Sequence, residues 1–462
     1  MANSLIFAIG SFGSKILQFL FISLYTSYMS TDEFGITDII VKTANLLIPI
    51  ITLSMVEAVM RYGLDEQRNK QQVFTVGITI ALFGTGLITA FSPLVGQMEM
   101  FHGYEPFLFV YLFTSSARAI NQQFLRVRGH VKLYSFDGIL TTLLMLICNI
   151  LFLVVMKMGV AGYLLSIIIP DALSALFLMF AGQNYKYFRL AAFDLPLAKS
   201  MILYAAPLIP TAVLWWVVSS SDSYMVTHWM GESMNGVYST SYRIPMLAAM
   251  VSTIFFQAWQ MSAITEYESE DAQDFFSKIF HAYHSLMYLA AGGILVFLRP
   301  FTKLLISNPE FSDAYKYTPF LVVAVLMSCS CTFLSYIYAA TLHTKNSFYT
   351  SLIAAGTNVI LNLLLIPESG AGLGAYGAAI ATFISYTACY IVRLFDSRRY
   401  IRYKVNSAMV SVNFALLTAM ALISTLEFNN YIIAVAAIYL LLVLLNFRAV
   451  IMTIRKIFDK KS

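Results

Sequence analysis

Charge is scarce in this chain. Only 11% of its 462 residues are Asp, Glu, Lys or Arg, 59% are hydrophobic, and the mean hydropathy is +0.73. An ordinary soluble domain carries roughly 25% charged residues, so a water-soluble fold is excluded. Long polar connections are also missing: the two longest, around residues 183–198 and 265–275, leave no room for a soluble domain. Cysteine is rare, and Cys148, Cys329, Cys331 and Cys389 all lie in apolar segments without zinc-like spacing. His281 and His284 stand one helical turn apart with no carboxylate near them in sequence, so no metal centre is expected. The opening segment lacks a basic stretch before its apolar run and carries Lys15 within it. It reads as a first span rather than a cleavable signal peptide.

What the chain has is a succession of apolar runs, each long enough to cross a hydrocarbon core about 30 Å thick as a helix. The expected spans are 4–28, 36–60, 73–96, 105–126, 134–156, 160–182, 199–227, 236–262, 276–298, 317–341, 347–366, 374–395, 405–425 and 430–448. The fold class expected is therefore all-α integral membrane, with about 14 transmembrane helices. Lys and Arg fall mostly on one side of this arrangement, including Arg68, Arg128, Lys199, Arg393, Arg398, Arg399 and Arg402, while the other side holds only Lys157, Arg299, Lys303 and Lys316. The positive-inside rule then places both termini in the cytoplasm. The net charge of +5 is topology, not nucleic-acid affinity.

A weak internal repeat relates the two parts of the chain. Ser27-Tyr28-Met29 resembles Ser223-Tyr224-Met225; Gly35 and Lys42 share their spacing with Gly236 and Arg243; His130, Lys132 and Asn149 match His343, Lys345 and Asn362 at one constant offset. These matches point to a parallel duplication, with an N-terminal lobe at 1–198, a C-terminal lobe at 199–395, and two extra helices with a basic tail at 396–462.

The informative residues are those that cost about 2.5–3.5 kcal/mol each at a helix centre in lipid. Lys15, Lys42, Arg118 and Arg243 lie at membrane depth, accompanied by Gln18, Asn45, Gln122 and Ser239 on polar stripes. The acids at depth are Asp171, Asp222 and Glu57, with Asp137 close to an interface. Each charge alone reads equally as half of a structural pair, for example Asp38 with Lys42 at i,i+4. As a set, the polar stripes indicate a water-filled cationic cavity suited to a phosphate or diphosphate. Lys42 and Arg243, at matching positions of the repeat, are expected to share that anion. Asp222 or Asp171 is expected to couple transport to a proton or sodium gradient. Pro49, Pro170, Pro207, Pro210 and Pro245 mark expected kinks.

The Ser11-Phe12-Gly13 to Leu20 helix, the Ser30-Thr31-Asp32-Glu33-Phe34-Gly35 loop, the Arg126 to Lys132 turn and the glycine-rich segment from Gly370 to Ala379 resemble the Wzx-type polysaccharide and O-antigen flippases. These belong to the multidrug/oligosaccharidyl-lipid/polysaccharide exporter superfamily. The resemblance implies two pseudo-symmetric six-helix lobes in a V-shaped, MATE-like bundle, alternating access, and a polyprenyl-diphosphate-linked oligosaccharide as cargo in a bacterial inner membrane. It implies no cofactor other than a coupling proton or sodium ion. Membrane lipids, a polysaccharide polymerase and other glycan-assembly proteins are the implied partners. Lys15, Lys42, Arg118 and Arg243 are carried over as lumen cations.

Two other functions compete. A cation-coupled multidrug antiporter would have the same fold but a predominantly acidic cavity. A membrane enzyme of glycan assembly usually needs an extended extramembrane loop with catalytic carboxylates or histidines, which connections of this length do not provide.

Overall fold

A computed structural model of the chain describes residues 21–92, 101, 103–267, 269–306, 308–341 and 343–459. Among the described residues there is no strand. A backbone in hydrocarbon must satisfy its N–H and C=O groups internally, and the α-helix does so within one segment. The helices are α1 (Thr31–Ile51), α2 (Met55–Gly63), α3 (Lys70–Ala90), α4 (Glu105–Val127), α5 (Val131–Asn149), α6 (Gly159–Phe180), α7 (Leu195–Ala205) and α8 (Leu208–Ser241), followed by α9 (Met246–Glu266), α10 (Ala272–Val296), α11 (Leu298–Leu305), α12 (Ala314–Ala340), α13 (Thr344–Leu365), α14 (Gly374–Ser397), α15 (Ser407–Leu426) and α16 (Tyr431–Asp459). Ten helical segments among the described residues are long and apolar enough to cross a membrane. The expected span 105–126 is the more polar α4, 236–262 is divided between α8 and α9, 430–448 lies within α16, and most of 4–28 lies outside the described residues.

The chain forms two compact units, Met1–Trp216 and Val217–Ser462. In the first, Phe74 of α3 stacks on Phe124 of α4 at 4.5 Å between ring centres. Met55 and Val59 of α2 and Leu197, Ala198, Met201 and Ala205 of α7 complete the same core. By sequence repeat the second lobe begins near residue 199; by packing, α7 lies with the first unit. In the second unit α12 is the most buried of the candidate membrane spans and packs against α14, with Tyr238, Leu321, Ala375, Ala378 and Ala379 in one core. Phe333 of α12 is sandwiched by aromatic rings, Trp259 at 4.6 Å and Tyr283 at 4.9 Å.

The segment expected as a loop at Ser30–Gly35 begins α1 instead. Ser30 caps the helix: the Glu33 N–H donates to Ser30 Oγ at 3.2 Å, and the Ser30 N–H donates to Glu33 Oε2 at 3.0 Å. Pro49 lies inside α1, and the helix stops two residues later, before a turn where Leu53 and Ser54 both have φ of 49°. Gly84 of α3 meets this bend closely, since a Cβ there would stand 1.8 Å from the Ile51 carbonyl oxygen. The seventh expected span is broken at 206–207, where Pro207 stands between α7 and α8, and the eighth at the turn 242–245 before α9, where Pro245 is the N-cap; Gly231 (φ 87°) inside α8 falls in the connection expected between the two. Pro170, by contrast, sits inside an unbroken α6.

The repeat has a local structural counterpart. His130 and His343 are the N-caps of α5 and α13, with φ/ψ of −79°/52° and −98°/45°. Each donates its backbone N–H to the carbonyl five residues back, Leu125 at 3.0 Å and Tyr338 at 2.9 Å. Asn149 and Asn362 are fully buried at the matching offset. Their amide nitrogens donate to Tyr25 Oη at 3.2 Å and to Asn358 Oδ1 at 3.1 Å, and the side-chain carbonyl of each accepts no hydrogen bond from the described residues.

Candidate functional site

In the first unit, Lys42 and Asp38 stand one turn apart on α1 and form an ion pair at 2.8 Å, both side chains being mostly buried. The Lys42 backbone carbonyl accepts from Trp216 Nε1 at 2.7 Å. The structural-pair reading of Lys42 is thus realised, on the stripe that also carries Asn45, which is exposed. Glu57 lies in the first turn of α2 and is likewise exposed. Lys15 and Gln18 lie outside the described residues.

Three helices meet at Arg118 of α4. Its guanidinium is 2.7 Å from Asp171 Oδ1 of α6 and 3.5 Å from Asp137 Oδ2 of α5, and its Nε donates to Ser174 Oγ at 3.0 Å. Gln122 donates to Asp137 Oδ2 at 3.1 Å, and the Ser174 hydroxyl donates to Asp137 Oδ1. The structure therefore joins Arg118, Gln122 and Asp171 of the expected set. It adds Asp137, which the sequence placed near an interface but which is fully buried. Two carboxylates around one guanidinium leave the cluster acid-rich, so Arg118 is an internal counter-ion before it is a ligand for an external anion.

The second unit holds its acid differently. Asp222 of α8 is fully buried. Its Oδ2 accepts from Tyr238 Oη and Tyr242 Oη, each at 2.7 Å, and from Thr382 Oγ1 of α14 at 3.3 Å; its Oδ1 accepts the Ser223 N–H at 3.0 Å. The polar cluster continues through Asn358 of α13, which donates to Thr382 Oγ1 at 3.2 Å and accepts from Ser221 at 2.9 Å and from Asn362. Ser239 is buried and bonds Asn235 Oδ1 at 3.3 Å. Arg243 is half-buried in the 242–245 turn, at a helix break rather than mid-helix.

Sequence reasoning missed Arg393, which it counted among the cytoplasmic bases. The residue is fully buried in α14. It donates to Thr350 Oγ1 at 2.8 Å, the Cys331 carbonyl at 2.8 Å, the Ser347 carbonyl at 3.1 Å, Ser351 Oγ at 3.0 Å and Ser335 Oγ. Hydroxyls one turn apart on α13, at 347, 350 and 351, were the available signal. His284 is packed against Phe280 at 3.9 Å between ring centres, with Nδ1 2.9 Å from the Phe280 carbonyl.

No curated protein matches the sequence. Among solved structures, the lipid II flippase MurJ in an inward closed conformation is similar at a TM-score of 0.70 and 14% identity, covering 98% of this chain and 100% of that one. An inward-facing MATE multidrug resistance transporter of the MOP superfamily is similar at 0.66 and 14%, covering 85% and 98%. A MOP superfamily transporter from Pyrococcus furiosus is similar at 0.62 and 14%, covering 86% and 96%. These likenesses show the fold. A model of the family described as polysaccharide biosynthesis protein matches residues 28–308, more than half of the sequence. The chain belongs to that polysaccharide biosynthesis family, as a multi-pass membrane protein with the fold of the MOP superfamily.

Proposed function

We propose that this protein is a flippase that moves a polyprenyl-diphosphate-linked oligosaccharide across the bacterial inner membrane by alternating access. The family match over residues 28–308 carries the reading, together with basic side chains at membrane depth on both halves of the repeat. Lys15, Lys42 and Arg243 are the cations assigned to the diphosphate. Arg118 is assigned a weaker share, because two carboxylates, Asp137 and Asp171, face it, whereas Lys42 faces one, Asp38, which the diphosphate would have to displace.

Charge-assisted contacts to phosphate contribute about 1.5–3 kcal/mol each, so removing one lowers affinity roughly tenfold to a hundredfold. The test is flipping of a fluorescent lipid-linked oligosaccharide in proteoliposomes. Lys42→Gln and Arg243→Gln reduce it strongly at normal protein level, and Arg243→Lys retains more activity than Arg243→Gln. Wild-type rates in both neutral variants would sink the assignment.

The same assay run with and without pH or sodium gradients tests coupling. Asp222 is the preferred coupling group over Asp171, since its hydrogen bonds come from neutral hydroxyls and an amide. The orientation is tested in intact cells: cysteines replacing Arg68, Arg128 and Arg399 stay shielded from an impermeant thiol reagent, while one at Asn308 reacts. The MATE likeness keeps the cation-coupled multidrug antiporter as the second reading. Drug efflux without glycan-lipid flipping would select it.

A further inference from the structure

We propose that the connection between α14 and α15 forms a binding site for the headgroup of an anionic phospholipid. Arg398, Arg399 and Arg402 line a shallow cleft of about 320 Å³ together with Phe395. Among the described residues one ion pair involves these arginines, Arg399 with Asp396 Oδ1 at 3.5 Å. Its Oδ2 is already engaged by Tyr338 Oη at 2.8 Å and Asn346 Nδ2 at 2.7 Å. The cleft therefore keeps a net positive charge.

The segment is fixed by contacts on both sides of the arginines. Tyr403 bonds Ser397 through their hydroxyls at 2.8 Å and packs on Phe280, the Lys404 N–H donates to Ser277 Oγ at 2.7 Å, and Gln273 donates to the Arg402 carbonyl at 2.5 Å. The backbone is thus held in place by contacts other than the guanidinium groups, of which, among the described residues, only that of Arg399 is paired, with Asp396. Planar forks on a fixed frame suit a phosphate diester better than flexible ammonium groups do.

The choice of a phospholipid over a soluble phosphate rests on α14. Ile384, Ile391 and Phe395 follow one another at spacings of seven and four residues, all exposed, with Phe395 at 65%. They form an apolar stripe that ends at the arginines. A lipid satisfies both parts at once, with acyl chains along the stripe and phosphate in the cleft. This is also the membrane face where Lys/Arg bias puts the cytoplasm, and basic pockets there attract anionic headgroups.

The experiment is native mass spectrometry of the full-length protein in detergent, titrated with cardiolipin and, as reference, phosphatidylcholine. At about 1 kcal/mol per basic side chain, the triple variant Arg398→Gln/Arg399→Gln/Arg402→Gln loses about a hundredfold in cardiolipin affinity. Its phosphatidylcholine binding does not change. A control removing the same number of positive charges elsewhere, Arg68→Gln/Arg126→Gln/Lys186→Gln, loses less than about threefold. If the triple Gln protein is not monodisperse, the triple Lys variant is measured, and a loss of about tenfold reports the missing forks. Equal losses in test and control would mean diffuse surface charge and overturn the site, as would an unaffected triple Lys variant. Full displacement of cardiolipin by millimolar inorganic diphosphate would make this a phosphate site and overturn the lipid assignment.

Discussion

The two units solve the same problem, a carboxyl group in an apolar interior, by different means. The first unit sets acids against bases: Asp38 against Lys42, and Asp137 with Asp171 against Arg118. The second unit surrounds Asp222 with two phenols, a threonine hydroxyl and an amide, and surrounds Arg393 with serine and threonine hydroxyls and backbone carbonyls. An ion pair is stable only while both members stay charged, and breaking it strands a charge. A ring of neutral hydroxyls tolerates either protonation state, because each hydroxyl can turn from donor to acceptor. Around Arg118, with two acids to one base, the first arrangement suits a scaffold. The second suits a group whose charge changes during a cycle.

This contrast is broken most directly at Arg118. Arg118→Leu leaves Asp137 and Asp171 facing each other in the interior, and the expected cost is about 3–5 kcal/mol, read as a lower unfolding temperature in detergent. Adding Asp171→Asn in the same chain should restore part of the loss. A single variant as stable as the parent would show that the first unit is not built on its ion pairs.

A smaller effect is expected at Arg393, despite its complete burial. The hydroxyls of Ser335, Thr350 and Ser351 also bond carbonyls of their own helices, Cys331, Asn346 and Ser347 respectively. They keep a partner when the guanidinium is removed, so Arg393→Met should cost only about 1–3 kcal/mol. A loss as large as at Arg118 would erase the distinction between the units. The smallest stability change, about 1 kcal/mol, is expected for Asp222→Asn, whose one amide oxygen keeps the three hydroxyl donors of Oδ2 and gives up only the Ser223 N–H. Its transport should nevertheless stop responding to the coupling gradient. A variant that is strongly destabilised, or that still responds to the gradient, would place Asp222 with the scaffold residues.

The all-helical fold was legible in the sequence because hydrocarbon burial leaves so few options: apolar length and Lys/Arg bias are nearly sufficient. Local pairs were legible for a similar reason, since Asp38 and Lys42 face each other by helical geometry alone. Arg118 was recognised as buried, but its partners lie 19 and 53 residues away on other helices, and no periodicity links them. Asp137 was misplaced because an acid six residues into a helix looks interfacial until a long Arg side chain reaches it. Arg393 was misread because the positive-inside rule assigns sidedness, and sidedness says nothing of burial. Helix breaks were only partly visible. Pro49, Pro207 and Pro245 lie at or close to breaks and Pro170 does not, so packing decided which prolines bend the chain.

The bend between α1 and α2 has a thermodynamic consequence. Leu53 and Ser54 adopt left-handed backbone angles, each costing about 1–2 kcal/mol for a residue with a side chain. A continuous helix through this stretch would carry no such cost, so local preference favours the straight form and the surrounding packing, with Gly84 against Ile51, favours the bent one. The span is in effect a loaded spring whose latch is a glycine contact. Glycine at 53 or 54 would relax the spring in its bent position, and a methyl group at 84 would push on the latch. Each change shifts the ratio of bent to straight by about an order of magnitude, in opposite directions.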